Sequence, residues 1–433
     1  MKKSAVLFSA LIAVGCAAAP QLATPPSTVP EISAAPAQWV QLGPDGAAEI
    51  RAVVENAAQG CPQFQAKDGR RIVLSPRAPA DVKFALLCSA PLPPDANIPG
   101  LPAVTPQPQR IVVLGDTGCR LLNQSIQNCN NPRDWPFPNV TAAAARLKPD
   151  LVIHVGDYQY RESPCPPGNQ GCAGTPYGDN WSAWKADLFA PAAPLLAAAP
   201  WIFVRGNHEE CDRSGPGYLR LLGPLAWSPS CVPHLAPYRV PLGDFSLQVM
   251  DDSDASDTDV DAAKLPEYQA DLAATAAPSR VPVWLAMHRP IWAALGLVAN
   301  IPAGGNAQII AASQKTMIGK PVALMLAGHI HTFEVLNYSR RGVDGIPPPQ
   351  IVAGNGGDAL VSAPANLRST IFQGNSGVSV KDGLSVGGFG FLLLTRNPSG
   401  WTIDLYDSGG VAEGQCLFTA ASDRLDCPKL PRG

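Results

Sequence analysis

Five short stretches of this chain gather the side chains that hold metal ions. They are Gly115-Asp116-Thr117-Gly118, Gly156-Asp157-Tyr158-Gln159-Tyr160, Gly206-Asn207-His208-Glu209, Leu285-Ala286-Met287-His288 and Gly328-His329-Ile330-His331. Together they offer carboxylates, an amide, a phenol and imidazoles. Hard oxygen donors suit a trivalent or divalent ion, and imidazoles suit a borderline one. Two cations held roughly 3.5–4 Å apart can clamp both the attacking and the leaving oxygen of a displacement at phosphorus. The chain has six histidines, and four of them fall inside these stretches, which scattering would rarely produce.

Residues of this kind are useful only if rigid elements aim them at one point. Three of the stretches follow almost wholly apolar runs at 111–114, 151–155 and 201–204, and the runs 281–287 and 322–326 lead into the other two. A short apolar run closed by Gly and polar residues reads as a buried strand ending in a loop. The candidate donors would then emerge at strand C-termini, where open α/β sheets place their sites.

In this order the motifs resemble those of the calcineurin-type metallophosphoesterases, and specifically the purple acid phosphatase branch, with its GDxG, GDxxY, GNH(D/E), VxxH and GHxH pattern. Four match outright; the fourth has Leu285 where Val is usual. The matched region runs from about Arg110 through the GHIH block and on to Gly354-Asn355-Gly356-Gly357. The resemblance implies a first metal held by Asp116, Asp157, Tyr160 and His331. A second would be held by Asp157, Asn207, His288 and His329, with Asp157 bridging. Many members of the wider superfamily carry Asp-x-His at the first motif; here that position is Gly118, and Tyr160 stands in compensation. A phenolate suits Fe(III), so iron is expected beside Tyr160, with Zn, Mn or Fe(II) in the second site. His208 is expected to face substrate as the catalytic histidine, working with Asp157 and Asn207. A metal-bound hydroxide would attack a phosphate monoester. Phosphodiester or nucleotide phosphoester hydrolysis on the same site is the alternative, and a non-turning metal- or phosphate-binding protein a more distant one.

Other residues take blander readings. His154 lies inside an apolar run and is expected to be a buried, hydrogen-bonded core residue. His234 sits in a Pro-flanked loop and is expected to be exposed. Tyr158 should pack rather than ligate. Glu209, Arg205, Arg289 and Glu334 neighbour ligands in sequence and are candidates to orient them. The acidic stretch from Asp251 to Asp261 lacks the Gly and terminal Glu of an EF-hand and reads as a solvated loop. No Gly-rich phosphate loop of the G-x-x-x-x-G-K-[ST] type occurs.

The formal net charge is −3 with no basic stripe, so a nucleic-acid partner has no support. Residues 1–19 read as an export signal, with Lys2 and Lys3 before an apolar run. Ala13-Val14-Gly15-Cys16 resembles a bacterial lipobox, which would make a periplasmic or outer-membrane-anchored lipoprotein tethered through Cys16; an ordinary signal peptide and secretion is the alternative. Eleven cysteines less Cys16 leave ten. Proximity suggests Cys61/Cys88, Cys119/Cys129, Cys165/Cys172, Cys211/Cys231 and Cys416/Cys427, although spacing alone leaves connectivity open. No other segment approaches the ~20 apolar residues of a membrane span.

Residues 20–37, rich in Ala and Pro, read as a flexible tether. Residues 38–106 are expected to form a small β-rich subdomain. Residues 107–433 would form the catalytic domain, an α/β fold in which a two-sheet β-sandwich is flanked by helices. Helices are expected near 140–146, 181–198 and 262–276. Late strands are expected at 332–338, 350–353, 389–396 and 401–406, the last two joined by a turn at 397–400. The loop 161–180 and the apolar stretch from Pro290 are candidates to shape a substrate pocket. Trp135, Tyr177, Trp181, Trp184 and Trp292 could offer stacking surfaces, although core packing is the reading their type favours.

Overall fold

The computed structural model describes residue 1 and residues 37–123, 125–314, 318–340, 345–373, 377–419 and 424–428. Residues 2–36, with the expected export signal, Cys16 and most of the tether, lie outside the described residues.

Two large sheets face one another. The first has eleven strands and runs through Arg110–Leu114, Leu151–His154 and Trp201–Phe203, which are mutually parallel. The second has seven and contains Ser246–Val249, Val283–Ala286 and Val322–Ala327, also parallel. Strands of this kind are buried on both faces, which is why their sequences are continuous apolar runs. Alternate residues divide between two layers. Ile111, Val113, Ile153, Ile202, Leu247, Trp284 and Leu326 fill the space between the sheets, where Trp284 meets Phe245 at 4.3 Å and Trp401 at 5.2 Å between ring centres. Val112, Leu114, Val152 and Phe203 face outward.

Helices cover the outer faces. Phe137–Arg146 buries Phe137, Val140, Ala143 and Ala144 on the first sheet. Leu265–Thr275 buries Tyr268, Leu272 and Thr275, one stripe at helical spacing; Tyr268 and Leu272 pack with Val283 and Leu285 of the second sheet. In each, a proline in the first turn fixes the start. The expected helix at 181–198 is instead broken into Trp181–Trp184, a π-turn at Lys185–Phe189 and Ala193–Ala198. Pro191 and Pro194 remove backbone donors there. The late strands run Phe333–Arg340, Gln350–Ala353, Gly390–Asn397 and Gly400–Asp407, and Asn397 opposes Gly400 across the expected turn.

Strands of residues 38–106, the segment expected as a small β-rich subdomain, extend the first sheet. Gln38–Leu42 pairs in parallel with Trp201–Phe203, and Ala48–Val54, Leu86–Pro91 and Ser75–Ala78 continue outward from it. All five cysteine pairs suggested by proximity form disulfides: Cys61–Cys88, Cys119–Cys129, Cys165–Cys172, Cys211–Cys231 and Cys416–Cys427. They suit an oxidising, exported setting. No described helix is long and apolar enough to cross a membrane.

Candidate metal centre

The five motif-bearing strands end at one place, three from the first sheet and two from the second. The chain turns sharply as it leaves them. Asp116, Asp157 and His329 all have left-handed backbones, with φ of 56°, 59° and 69°. Such conformations cost non-glycine residues about 1–3 kcal/mol each and concentrate where function requires them. The turns are laced together: the amides of Asp116 and Thr117 donate to the carbonyls of Gly156 and Asp157, both at 3.0 Å.

All seven expected ligands converge. Oxygen or nitrogen atoms of Asp116, Asp157 and His331 lie within 4.8 Å of one another, as do those of Asp157, His288 and His329, so the two clusters share Asp157. The Tyr160 hydroxyl joins the first, 2.7 Å from Asp157 Oδ2, 3.2 Å from Asp116 Oδ1 and 3.0 Å from His331 Nε2. Asn207 Oδ1 joins the second, 3.0 Å from His288 Nε2 and 2.9 Å from His329 Nδ1.

The far nitrogen of each imidazole shows what the near one can do. His288 Nδ1 lies 2.8 Å from the Val155 carbonyl, His331 Nδ1 2.8 Å from the Ala359 carbonyl, and His329 Nε2 2.8 Å from Asp257 Oδ2. Only a protonated nitrogen satisfies an acceptor, so each ring turns its remaining lone pair into the cluster. There it meets other lone pairs: Asn207 Oδ1 for His288 and His329, Asp116 Oδ1 at 3.3 Å for His331. Acceptors packed against acceptors need a metal ion or an added proton between them, and these carboxylate, phenol, amide and imidazole donors fit metal ions.

In the absence of metal, two of the rings hold a second proton in that place. Burial would depress His288 and His331, yet Asp157 raises the first to about 10, and Asp358 with Asp116 raises the second to about 9. Burial would raise Asp157, but the His288 and His208 imidazoles hold it well below the usual carboxylate range. Burial, then Asp157 and Asp116, push the Tyr160 phenol well above 10, so it ionises only if a cation joins it.

Glu209 holds the bridging loop, its carboxylate accepting from the backbone amides of Gly206, Asp157, Tyr158 and Gln159. Arg205 donates to the Glu209 carbonyl and to Asp251. Arg289 pairs with Asp257 and lies 3.3 Å from His329 Nε2. Glu334, the fourth residue expected to orient a ligand, does not: its carboxylate accepts from the Ala294 amide, away from the clusters. His208 packs on Tyr160 at a 38° tilt with ring centres 3.7 Å apart, while its Nδ1 contacts Glu162 and its Nε2 lies 3.0 Å from an Arg213 nitrogen and 3.8 Å from Asp157 Oδ2.

Gly118 now has a steric reason. A Cβ there would meet the Tyr158 carbonyl at 2.6 Å, the Tyr160 amide at 2.8 Å and the Tyr160 ring at 2.9 Å. The ring fills the space a histidine at that position would need.

His154 is buried, its Nε2 3.0 Å from Thr117 Oγ1, and Tyr158 packs in the core with its hydroxyl donating to Val204. Two expectations are corrected. His234 is not exposed: it pairs with Asp271 at 2.7 Å and faces Asp254 at 4.0 Å. Nor is the acidic stretch simply solvated. Asp252 is buried and accepts from the His288 and Arg289 amides, and Asp257 reaches His329. Of the five candidate stacking aromatics, only Tyr177, 49% exposed, is on the surface; the four tryptophans are core. The motifs did not disclose Asp257, Glu162, Arg213, Arg120 or Asp358, though Asp358 directly follows the Gly354–Gly357 run that did stand out. Arg213 pairs with Glu162 beside His208, and Arg120 pairs with Asp358 beside His331.

The calcineurin-like phosphoesterase family pattern matches residues 109–333. Among solved structures, a purple acid phosphatase from yellow lupin (Lupinus luteus) seeds shares the fold at 15% identity and a TM-score of 0.55, over 88% of this chain and 74% of that one. PhoD shares it at 13% identity and a TM-score of 0.52, over 93% and 94%. No curated protein matches the chain by sequence. The family pattern spans just over half of the chain and encloses all five motifs, and the chain belongs to the calcineurin-like phosphoesterase family of metal-dependent phosphoesterases.

Proposed function

We propose that the chain hydrolyses phosphate monoesters at a dinuclear centre of the purple acid phosphatase type. Asp116, Asp157, Tyr160 and His331 would hold Fe(III); Asp157, Asn207, His288 and His329 would hold Zn, Mn or Fe(II). The observation that carries this reading is the pair of donor clusters sharing Asp157, one with the Tyr160 phenol and the other with the Asn207 amide.

When bound, two such ions lower the pKa of water and polarise phosphoryl oxygens. The protein's own groups set the geometry. The Val155 and Ala359 carbonyls and Asp257 fix the three imidazoles, and Glu209 fixes the Asp157 loop. Glu162 holds the His208 ring at Nδ1, and Nε2, with an Arg213 nitrogen 3.0 Å away, would exchange a proton or hydrogen bond with the departing oxygen. The Arg120, Arg213 and Arg289 guanidiniums flank the centre and can donate to phosphoryl oxygens.

Metal analysis with a visible spectrum on the mature protein, alongside p-nitrophenyl phosphate hydrolysis, tests the reading. Two metals including iron, with a tyrosinate charge-transfer band, support it. Two metals without colour move the centre to Zn or Mn, and no metal even after reconstitution overturns it. Phosphodiester hydrolysis is the second reading, favoured by an open cavity of about 460 Å³ beside His329 and His331. The rate on bis(p-nitrophenyl) phosphate relative to the monoester separates the two. The five disulfides also support export, and the mass of the mature N-terminus distinguishes a lipid on Cys16 from simple secretion.

A further inference from the structure

The cavity beside the centre has a mixed lining. Arg120, Ser125, Asp257, His329 and His331 supply its polar part; Leu295, Ile330, Leu360 and Val361, with Ala359, supply its apolar part. The apolar part is built rather than incidental. Leu295 lies on the hairpin Ala294–Val298/Ile301–Gly304, where Ala294 opposes Gly304 and Gly296 opposes Ala303, so Leu295 is the extra residue of a β-bulge. Bulges re-aim side chains and gather next to active sites. Leu295 is half-buried in the cavity wall and Val361 is 42% exposed. Farther along the same hairpin Leu297 and Val298 are 52% and 67% exposed. Scattered exposed apolar residues are ordinary. A bulge residue in the cavity wall, continued by apolar residues along its hairpin, is not scattered.

We infer that the alcohol released by this enzyme is apolar, an alkyl or aryl chain lying along Leu295, Leu360 and Val361 while the phosphate faces the histidines. This rests on the phosphoesterase reading of the same site and adds the chemistry of the leaving group. The step is a hydrolysis: water's oxygen bonds to phosphorus, the bond from phosphorus to the alcohol oxygen breaks, and that oxygen leaves carrying a proton, giving the alcohol and inorganic phosphate. A glycerol or sugar alcohol lying along Leu295, Leu360 and Val361 would instead set hydroxyls against side chains that cannot hydrogen-bond, with Ser125 the uncharged hydroxyl in the lining.

Straight-chain alkyl phosphates from butyl to octyl test this, because their leaving groups differ little in acidity and a trend reports binding. With the metal-loaded mature protein, kcat/KM should rise about two- to fourfold per methylene, with glycerol 1-phosphate below butyl phosphate. Leu295→Asn and Val361→Asn should each flatten the series; Val361 is exposed enough that its replacement does not hinge on folding. Hexadecyl phosphate in phosphatidylcholine vesicles, against octyl phosphate in solution, tells a membrane lipid from a free ester, and a preference for either supports an apolar alcohol. Equal rates across the series, or a preference for glycerol 1-phosphate, overturn the inference and leave the phosphoesterase reading standing. Hydrolysis of none of these esters overturns both.

Discussion

At the scale of single residues, the proposed centre works by aiming lone pairs. Each candidate imidazole has its far nitrogen committed to an acceptor, so its near nitrogen faces the cluster, where a metal ion would displace any second proton. Tyr160 is the complementary case. Burial and two carboxylates keep its phenol protonated unless a metal displaces the proton, so visible colour requires both residue and iron. Tyr160→Phe should therefore abolish the charge-transfer band while circular dichroism stays native, and an unchanged spectrum would remove iron from the first site. His208 touches the clusters only at their edge. His208→Ala should retain two metals per chain and lower kcat by about 10²–10⁴-fold, the usual worth of a positioned proton-transfer group. Loss of metal in that variant would make His208 a ligand. Six of the seven candidate ligands were legible because each stands at a fixed offset from a glycine at a strand end, and His288 because it closes the apolar run 281–287. Glu162, Arg213 and Asp257 were not, because they come from loops whose paths depend on packing that no local spacing encodes.

At the scale of elements, strands carry the proposed ligands and loops are stapled behind them. Cys119, Cys165 and Cys211 each follow a ligand motif of the first sheet within five residues, and each closes a loop of 7 to 20 residues. The loop ending at Cys231 is then pinned to the helix Leu265–Thr275 through His234 and Asp271. Sequence favoured an exposed His234, because a Pro-flanked histidine carries no sign of the helix that later packs on it. Burial would lower its pKa, but Asp254 and Asp271 raise it to about 10, above an unfolded value near 6.5. A raised folded pKa adds stability that is fully present below about pH 6.5 and is lost as pH climbs through 10. His234→Gln should thus cost about 1.5–3 kcal/mol at pH 6, and its melting-temperature gap from the parent should close toward pH 10. A gap that holds constant with pH would mean that the folded histidine is neutral. Elsewhere the apolar runs announced the strands well. The broken helix at 181–198 escaped because its apolar residues keep helical spacing across prolines that interrupt the backbone.

At the scale of the whole molecule, the centre lies where two sheets meet. Asp116, Asp157, Tyr160 and Asn207 come from strand ends of the first sheet; His288, His329 and His331 come from those of the second. In the proposed assignment each metal takes ligands from both, so the ions cross-link the sandwich at the end where its backbone is most strained. Without them, the buried carboxylates of Asp116 and Asp157 keep only the Tyr160 hydroxyl, the His329 and His208 amides and protonated imidazoles to face. Stripping the metals should therefore loosen both sheets together. An ion present at a thousandfold over its Kd stabilises the folded state by about 4 kcal/mol, and that support disappears on chelation. The loss should be local before it is global. Amide exchange should accelerate first at residues 115–118, 156–160, 206–209, 287–289 and 328–332, while the inter-sheet core around Trp284 and Trp401 stays protected. Adding metal back should restore protection on both sides at once. If only the first-sheet ends respond, the histidines of the second sheet are not ligands and the centre is mononuclear. If neither side responds, the strained turns are held by their own hydrogen bonds, and metal serves the chemistry without holding the sheets together.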